Sequence, residues 1–272
     1  MLSNLIYPER CSLFIIAGPC VIESAEQCLA IGERVKKICD RFGLAYIFKA
    51  SFDKANRSSN ASFRGPGLTD GLAILERVRK EVGVPVLTDV HEVAQVTTVA
   101  KVVDVLQVPA FLARQTDLLQ ACGQTGRAVN IKKGQFMSPH EMRNAAAKVK
   151  TTQTVDGGIM LTERGTFFGY NRLVNDFTGL PVMRSFGHPV VFDITHSTQQ
   201  PAGLGNQSGG NPEYSPMLAR AAVAAGVDGL FLECHPDPKN AKSDAATVMD
   251  LNAVEPLLDQ CRRIAELRKT WK

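Results

Sequence analysis

At 272 residues the chain exceeds the commonest domain size of roughly 100 to 150 residues, so length admits two small domains or one α/β barrel. Apolar residues make up 44% and charged residues 21%, enough for a full core, which excludes a disordered chain. The net charge is only +4 and no Lys/Arg block stands out, which excludes a nucleic-acid arm or a membrane-surface helix and points to basic residues acting locally on small anions.

The seven cysteines (Cys11, Cys20, Cys28, Cys39, Cys122, Cys234, Cys261) are odd in number, scattered and without a C-x-x-C pair, so no disulfide framework is expected. MLSNLIYPER lacks a basic stretch followed by an apolar segment, and the longest mostly apolar run, Leu13 to Ile22, is too short to span a bilayer. These features read as a cytoplasmic, reduced protein that engages no membrane.

Residues 1 to 12 are expected to form a short strand or hairpin closing the bottom of the fold. Apolar, β-branched runs then alternate with segments of helical periodicity, the pattern of repeated βα units. The runs are LFIIAGP (13 to 19), AYIFKA (45 to 50), VPVLTDV (84 to 90), VVDVLQV (102 to 108), AVNIKK (128 to 133), GIMLTE (158 to 163), PVVFDIT (189 to 195) and GLFLEC (229 to 234). Helices are expected over 25 to 42, 69 to 82, 92 to 101, 114 to 124, 138 to 149, 216 to 226 and 255 to 271. The sixth connection, with several Gly and one Pro, is the weakest helical pattern, and TQQPAGLGNQSGGNPEYSP after Ser197 reads as a long loop. No linker divides the chain, so residues 1 to 272 are expected to form one (β/α)8 TIM barrel, an open doubly wound sheet being the alternative.

In such a barrel the C-terminal strand ends converge on one volume. Here they carry Cys20 and Glu23, Lys49 and Lys54, Asp89 and His91, Gln107, Lys132 and Lys133, Glu163 and Arg164, Asp193 and His196, and Glu233 and His235. Any one of these could be a helix cap or a rim ion pair. Converging charges must be paired and desolvated, so the joint pattern points to a site. The basic set Lys49, Lys54, Arg57, Arg114, Lys132 and Arg164 suits a ligand carrying a phosphate and a carboxylate. A Schiff-base role for Lys49 or Lys132 is the competing chemistry. Cys20, His196, Glu233 and Asp244 offer donors for Zn2+, Fe2+, Mn2+ or Co2+, although they are dispersed along the chain and a lone Cys is more often a small buried hydrophobe.

Longer motifs sharpen this: IAGPCVIES (16 to 24), FKASFDKANRSS (48 to 59), RGPGL (64 to 68), TDVHE (88 to 92), QVPAFLARQTDLL (107 to 119), VNIKKGQF (129 to 136), LTERGTFFGYN (161 to 171), FDITHSTQQPAG (192 to 203) and LECHPDPKNAKSDA (232 to 245). The chain resembles the 3-deoxy-D-manno-octulosonate 8-phosphate synthase family over essentially its whole length. The related 3-deoxy-D-arabino-heptulosonate 7-phosphate synthases, which take erythrose 4-phosphate, typically carry K-P-R-[ST] where this chain has KANRSS, and they form the alternative reading.

The resemblance implies condensation of phosphoenolpyruvate with arabinose 5-phosphate in lipopolysaccharide inner-core biosynthesis. It implies that Lys49, Lys54, Lys132 and Arg164, with Gln107 nearby, hold phosphoenolpyruvate, and that Asn56, Arg57 and Ser58 contact the aldose. Asp89 would lie near the sugar hydroxyls and the reacting centre. Arg114 would reach the aldose phosphate of a neighbouring subunit in a homotetramer. Cys20, Gly134 and Ser243-Asp244-Ala245 resemble the metal-dependent branch, making Cys20, His196, Glu233 and Asp244 the expected ligands of a divalent ion. Lys54, Asp89, His196 and Cys20 are the groups expected nearest the chemistry, His196 as ligand, phosphate contact or both. His91 and His235 are expected to be supporting groups, and the loop holding Asp244 is expected to order on substrate binding. A barrel that binds a phosphorylated ligand without turning it over is the non-enzymatic alternative, and the intact motifs weigh against it.

Overall fold

Each of the eight apolar runs becomes a parallel strand in the computed structural model, which describes residues 2–6, 13–56, 62–153, 155–167, 169–201 and 209–271. In chain order the strands are β1 (Phe14–Gly18), β2 (Ala45–Lys49), β3 (Val86–Asp89), β4 (Val105–Val108), β5 (Ala128–Lys132), β6 (Ile159–Glu163), β7 (Val190–Asp193), the short antiparallel pair β8 (Gln199–Gln200) and β9 (Gly209–Gly210), then β10 (Gly229–His235) and β11 (Met249–Asp250). The barrel strands pair in sequence order, and β1 returns to β10 from Phe14↔Gly229 to Gly18↔Glu233. The sheet is therefore a closed (β/α)8 barrel, and the open-sheet alternative is excluded.

Strand side chains alternate faces with period two, and that parity builds the interior in layers. The lower inward layer is apolar: Phe14, Ile16, Ala45, Ile47, Leu87, Val105, Ala128, Met160, Val191 and Phe231 form one buried cluster. Two residues on, at the same parity, stand Gly18, Lys49, Asp89, Gln107, Asn130, Thr162, Asp193 and Glu233. The outward parity, including Ile15, Phe48, Val86, Leu106, Ile131, Leu161, Phe192 and Leu232, packs against the helices. Each fully buried aliphatic or aromatic side chain contributes about 1.5–3 kcal/mol, so the two apolar layers fix the register of the polar one.

The helices are α1 (Ser3–Ile6), α2 (Ala25–Phe42), α3 (Leu68–Glu81), α4 (Val93–Ala100), α5 (Thr116–Gln124), α6 (Met142–Lys150), α7 (Gly179–Arg184), α8 (Ser215–Ala225) and α9 (Leu251–Arg268). Helix α2 illustrates the local logic. Ser24 caps it by accepting from the Gln27 N–H at 3.1 Å, Cys28, Ile31, Val35, Ile38 and Cys39 form the buried face at helical spacing, and Gly43 at φ 65 ends it. The sixth connection does contain a helix, α7, of six residues. Among the described residues, no helix is long and apolar enough to cross a membrane, and no disulfide joins the six described cysteines.

The N-terminal strand or hairpin is not formed over the described residues. Ser3–Ile6 is a single helical turn, tied by the Leu2 N–H to the Gly157 carbonyl at 3.0 Å, with Leu2 and Ile6 joining the lower inward layer. Every strand of a closed barrel already has two partners, so a strand there would leave its own polar groups unpaired, whereas a helical turn satisfies them internally. Residues 7 to 12 lie outside the described residues.

Candidate active site

The polar layer and the loops above it enclose a cavity of about 770 Å³. Lys49, Lys54, Asn56, Asp89, Gln107, Lys132, Arg164, His196, Glu233 and Asp244 all line it, and Cys20 adjoins Asp244 at the wall. Arg114 does not line it. That side chain is exposed near the start of α5, with its nearest carboxylate, Glu141, 4.0 Å away. Arg57 and Ser58 lie outside the described residues.

Buried ion pairs hold the cations in place. Lys49 Nζ donates to Glu233 Oε1 at 2.5 Å and to the Cys20 carbonyl at 2.9 Å. Lys132 Nζ donates to Asp193 Oδ2 and stands 3.5 Å from the centre of the Phe231 ring. Burial pulls the Lys132 ammonium below the usual lysine range, against the opposing pull of Asp193 and Glu233. The Asp193 carboxylate and the Phe231 ring face both favour the charged form of Lys132, the form that holds an anion. Arg164 donates through Nη2 to Gln199 Oε1 at 2.6 Å, and its buried Nη1 has no hydrogen-bond partner. A buried guanidinium donor left open at a cavity is a place for an anionic ligand oxygen.

The carboxylates are held ionised. Burial opposes ionisation of Asp193, but His196 and Lys132 outweigh it and hold the carboxyl well below the ordinary range. Asp89 and Glu233 are likewise depressed despite burial, Asp89 by Lys49, Lys54 and His91, and Glu233 by Lys49 and His196. Asp193 also accepts from the backbone N–H groups of Thr195 and His196 at 3.0 and 2.9 Å, while His196 Nδ1 lies 2.7 Å from Asp193 Oδ2. That contact directs Nε2 towards Glu233 Oε2, 3.6 Å away, and Asp244 Oδ2, 3.9 Å away.

Around this point the donor set fits a divalent ion. Ligand atoms of Cys20, Glu233 and Asp244 lie within 4.8 Å of one another, with the His196 ring beside them. Glu233 Oε2 is buried without any hydrogen-bond partner, an arrangement that is costly unless a cation or donor takes the oxygen. Asp244 adopts φ 50, a left-handed conformation that its short polar side chain tolerates at modest cost. Its carbonyl accepts from the N–H groups of Thr247 and Val248, while its carboxylate turns back to accept from Cys20 Sγ at 2.9 Å. Burial, followed by Asp244 and Glu233, pushes the Cys20 thiol well above its usual pKa.

Several contributors escaped the sequence reading. Ser51 donates to Asp89 Oδ2 and accepts from Lys54 Nζ at 3.0 Å. Gln199 joins Arg164 to Asp244, and Asn130 and Thr162 connect to Gln107. Parity was the available signal, since residues 130 and 162 stand two before the strand-end cations Lys132 and Arg164. His91 is on the cavity wall, with its ring against Phe52, whereas His235 sits behind the site between Gln27 and Glu23.

A family model described as "DAHP synthetase I family" matches residues 9–270. A 2-dehydro-3-deoxyphosphooctonate aldolase from Cyanothece sp. is 56% identical over 246 residues, covering 90% of this chain and 89% of the relative. Proteins of the same name from Protochlamydia amoebophila and Acidithiobacillus ferrooxidans are 51% and 57% identical, covering 94% and 90% of this chain and 92% and 86% of the relatives. The chain thus belongs to the DAHP synthetase I family and, within it, to the 2-dehydro-3-deoxyphosphooctonate aldolase group.

Proposed function

We propose that the protein condenses phosphoenolpyruvate with D-arabinose 5-phosphate and water, giving 3-deoxy-D-manno-octulosonate 8-phosphate and phosphate for the lipopolysaccharide inner core. The observation that carries this reading is a cavity in which Lys49, Lys54, Lys132 and Arg164 converge beside ionised Asp89, inside a chain more than half identical to relatives of that name. Those names favour the pentose phosphate over erythrose 4-phosphate.

In the reaction, C3 of phosphoenolpyruvate bonds to the aldehyde carbon of the aldose, water adds at C2, and phosphate leaves by C–O cleavage. Lys49, Lys54, Lys132 and Arg164 hold the carboxylate and phosphate of phosphoenolpyruvate, with Gln107 beside them. Arg164 Nη1 is the donor with an open valence for a phosphate oxygen. Asn56, Arg57 and Ser58 contact the aldose, and Asp89 faces its hydroxyls near the reacting carbon. These fixed charges stabilise the enolate-like and phosphate charge as it develops, each charge-assisted hydrogen bond being worth roughly 1.5–3 kcal/mol. Cys20, His196, Glu233 and Asp244 hold a divalent ion, Fe2+, Zn2+, Mn2+ or Co2+. When bound, the ion supplies Lewis-acid chemistry, polarising or orienting the aldehyde or lowering the pKa of a water. Arg114, outside its own cavity, reaches the aldose phosphate in a neighbouring subunit of a homotetramer, and the enzyme works in the cytoplasm.

The test is phosphate release after chelation, with arabinose 5-phosphate or erythrose 4-phosphate, before and after adding Mn2+, Fe2+ or Zn2+. Activity with the pentose phosphate that disappears on chelation and returns with metal is expected. Activity indifferent to the chelator would remove the metal while keeping the reaction, and preference for erythrose 4-phosphate would overturn the substrate.

A further inference from the structure

Beneath the cavity floor a buried chain of hydrogen bonds crosses four adjacent strands. Thr162 Oγ1 donates to Asn130 Oδ1 at 2.7 Å, Asn130 Nδ2 donates to Gln107 Oε1 at 2.8 Å, and Gln107 Nε2 donates to Asp89 Oδ1 at 2.6 Å. Asn130 and Thr162 are wholly buried and do not line the cavity, whereas Gln107 and Asp89 do. In each strand the inward residue two positions earlier is apolar: Met160, Ala128, Val105 and Leu87. Polar side chains here are therefore a departure from the layer below, and burying them is tolerable only because all of them find partners.

The chain has a direction, and Asp89 sets it. An ionised carboxylate only accepts, so Gln107 must present its NH2 to Asp89 and its oxygen to strand β5. That oxygen requires the NH2 of Asn130, whose own oxygen then takes the Thr162 hydroxyl proton. Read backwards, Asn130 holds the Gln107 amide against a half-turn about its terminal bond, and Thr162 satisfies the Asn130 oxygen that would otherwise be buried without a donor. Such a turn would put the Gln107 oxygen against Asp89 and push the carboxylate out of place. Ser51 fixes the other Asp89 oxygen, so both carboxylate oxygens are held by protein donors.

We propose that Asn130, backed by Thr162, is a positioning residue for the condensation, acting through Gln107 to hold Asp89 where it meets the aldose. The inference rests on the reaction proposed above and adds residues that touch no substrate.

The variants are Thr162→Val, which keeps shape and removes the donor, Thr162→Ser, which keeps the donor, and Asn130→Leu. Steady-state kinetics would be run on the metal-loaded full-length protein alongside thermal unfolding. Misplacing a reacting group by about 1 Å can cost on the order of a hundredfold. Thr162→Val and Asn130→Leu should therefore lower kcat by roughly tenfold to a hundredfold and raise KM for arabinose 5-phosphate. KM for phosphoenolpyruvate, which meets Gln107 but not Asp89, should rise less than KM for arabinose 5-phosphate. Thr162→Ser should recover near-normal kinetics. If Asn130→Leu does not fold, the Thr162 pair decides. Folded Thr162→Val with wild-type kinetics, or with losses shared equally by both substrates and not recovered by Thr162→Ser, would overturn the proposal. An inactive wild-type protein would instead overturn the assigned reaction, and activity with erythrose 4-phosphate would move the same comparison to that aldose.

Discussion

Lys49 and Glu233 face each other from opposite sides of the β1 strand end, with Lys49 Nζ 2.5 Å from Glu233 Oε1 and both side chains fully enclosed. The lysine takes one carboxylate oxygen and leaves the other, Oε2, buried without a hydrogen-bond partner beside Cys20, His196 and Asp244. One residue thereby joins the cationic half of the site to the candidate metal-holding half.

Glu233→Gln preserves shape while removing the charge that both halves use. Breaking a buried ion pair costs roughly 3–5 kcal/mol, so thermal stability should fall by several degrees. The variant should also retain little metal after gel filtration and release phosphate on the order of a hundredfold more slowly. Elemental analysis and a phosphate assay on the same sample check both. Wild-type metal content in the variant would remove Glu233 from the ligand set.

Glu163 is expected to act on Arg164 through the backbone. Its Oε1 accepts from the N–H groups of Arg164 and Gly165 at 2.9 and 2.7 Å, and its Oε2 lies 3.4 Å from Lys133 Nζ. Glu163→Ala should loosen the turn that aims the guanidinium and raise KM for phosphoenolpyruvate by about tenfold, the scale of one lost charged hydrogen bond. Isothermal titration with phosphoenolpyruvate gives an independent reading, and unchanged affinity would contradict the role.

Gly18 ends β1 beside Lys49, the last residue of β2. A Cβ there would sit 2.0 Å from the Lys49 carbonyl oxygen, and because that atom is backbone, the strand itself must move. Gly18→Ala should destabilise the fold by about 3 kcal/mol or more, at the upper end of overpacking costs. A urea midpoint equal to wild type would show that the strands can separate freely.

Acid sensitivity follows from Asp89, Asp193 and Glu233. Neighbouring cations hold their folded-state pKa values below the unfolded values of roughly 3.9 to 4.3. A depressed carboxyl pKa adds stability that is complete above the unfolded value and is lost as pH falls towards the folded one. Urea midpoints should therefore be level from pH 7 to about 5 and drop steeply below about 4.5, with a shallower drop in Asp193→Asn. A midpoint that stays level to pH 3 would mean that these pairs do not stabilise the fold.

Local pattern made the strands, most helices and the strand-end charges readable in the sequence. Alternation and helical spacing act over a few residues, and the βα repeat leaves few ways to bury every strand. Closure of the sheet depended on a contact more than 200 residues apart, between β1 and β10, for which no local signal exists. The helical turn at Ser3–Ile6 was lost for the same reason, because only the closed barrel removes the free edge that a strand would need.

The sequence by itself determined which chemical groups stand at the strand ends, because identity and parity are properties of the chain. Only the tertiary structure decided how they are matched: Lys49 with Glu233, Lys132 with Asp193, and Asp89 with Ser51 and Gln107. Such pairings depend on distances of a few ångström across the barrel, where burial makes an unpaired charge costly and a well-placed partner decisive.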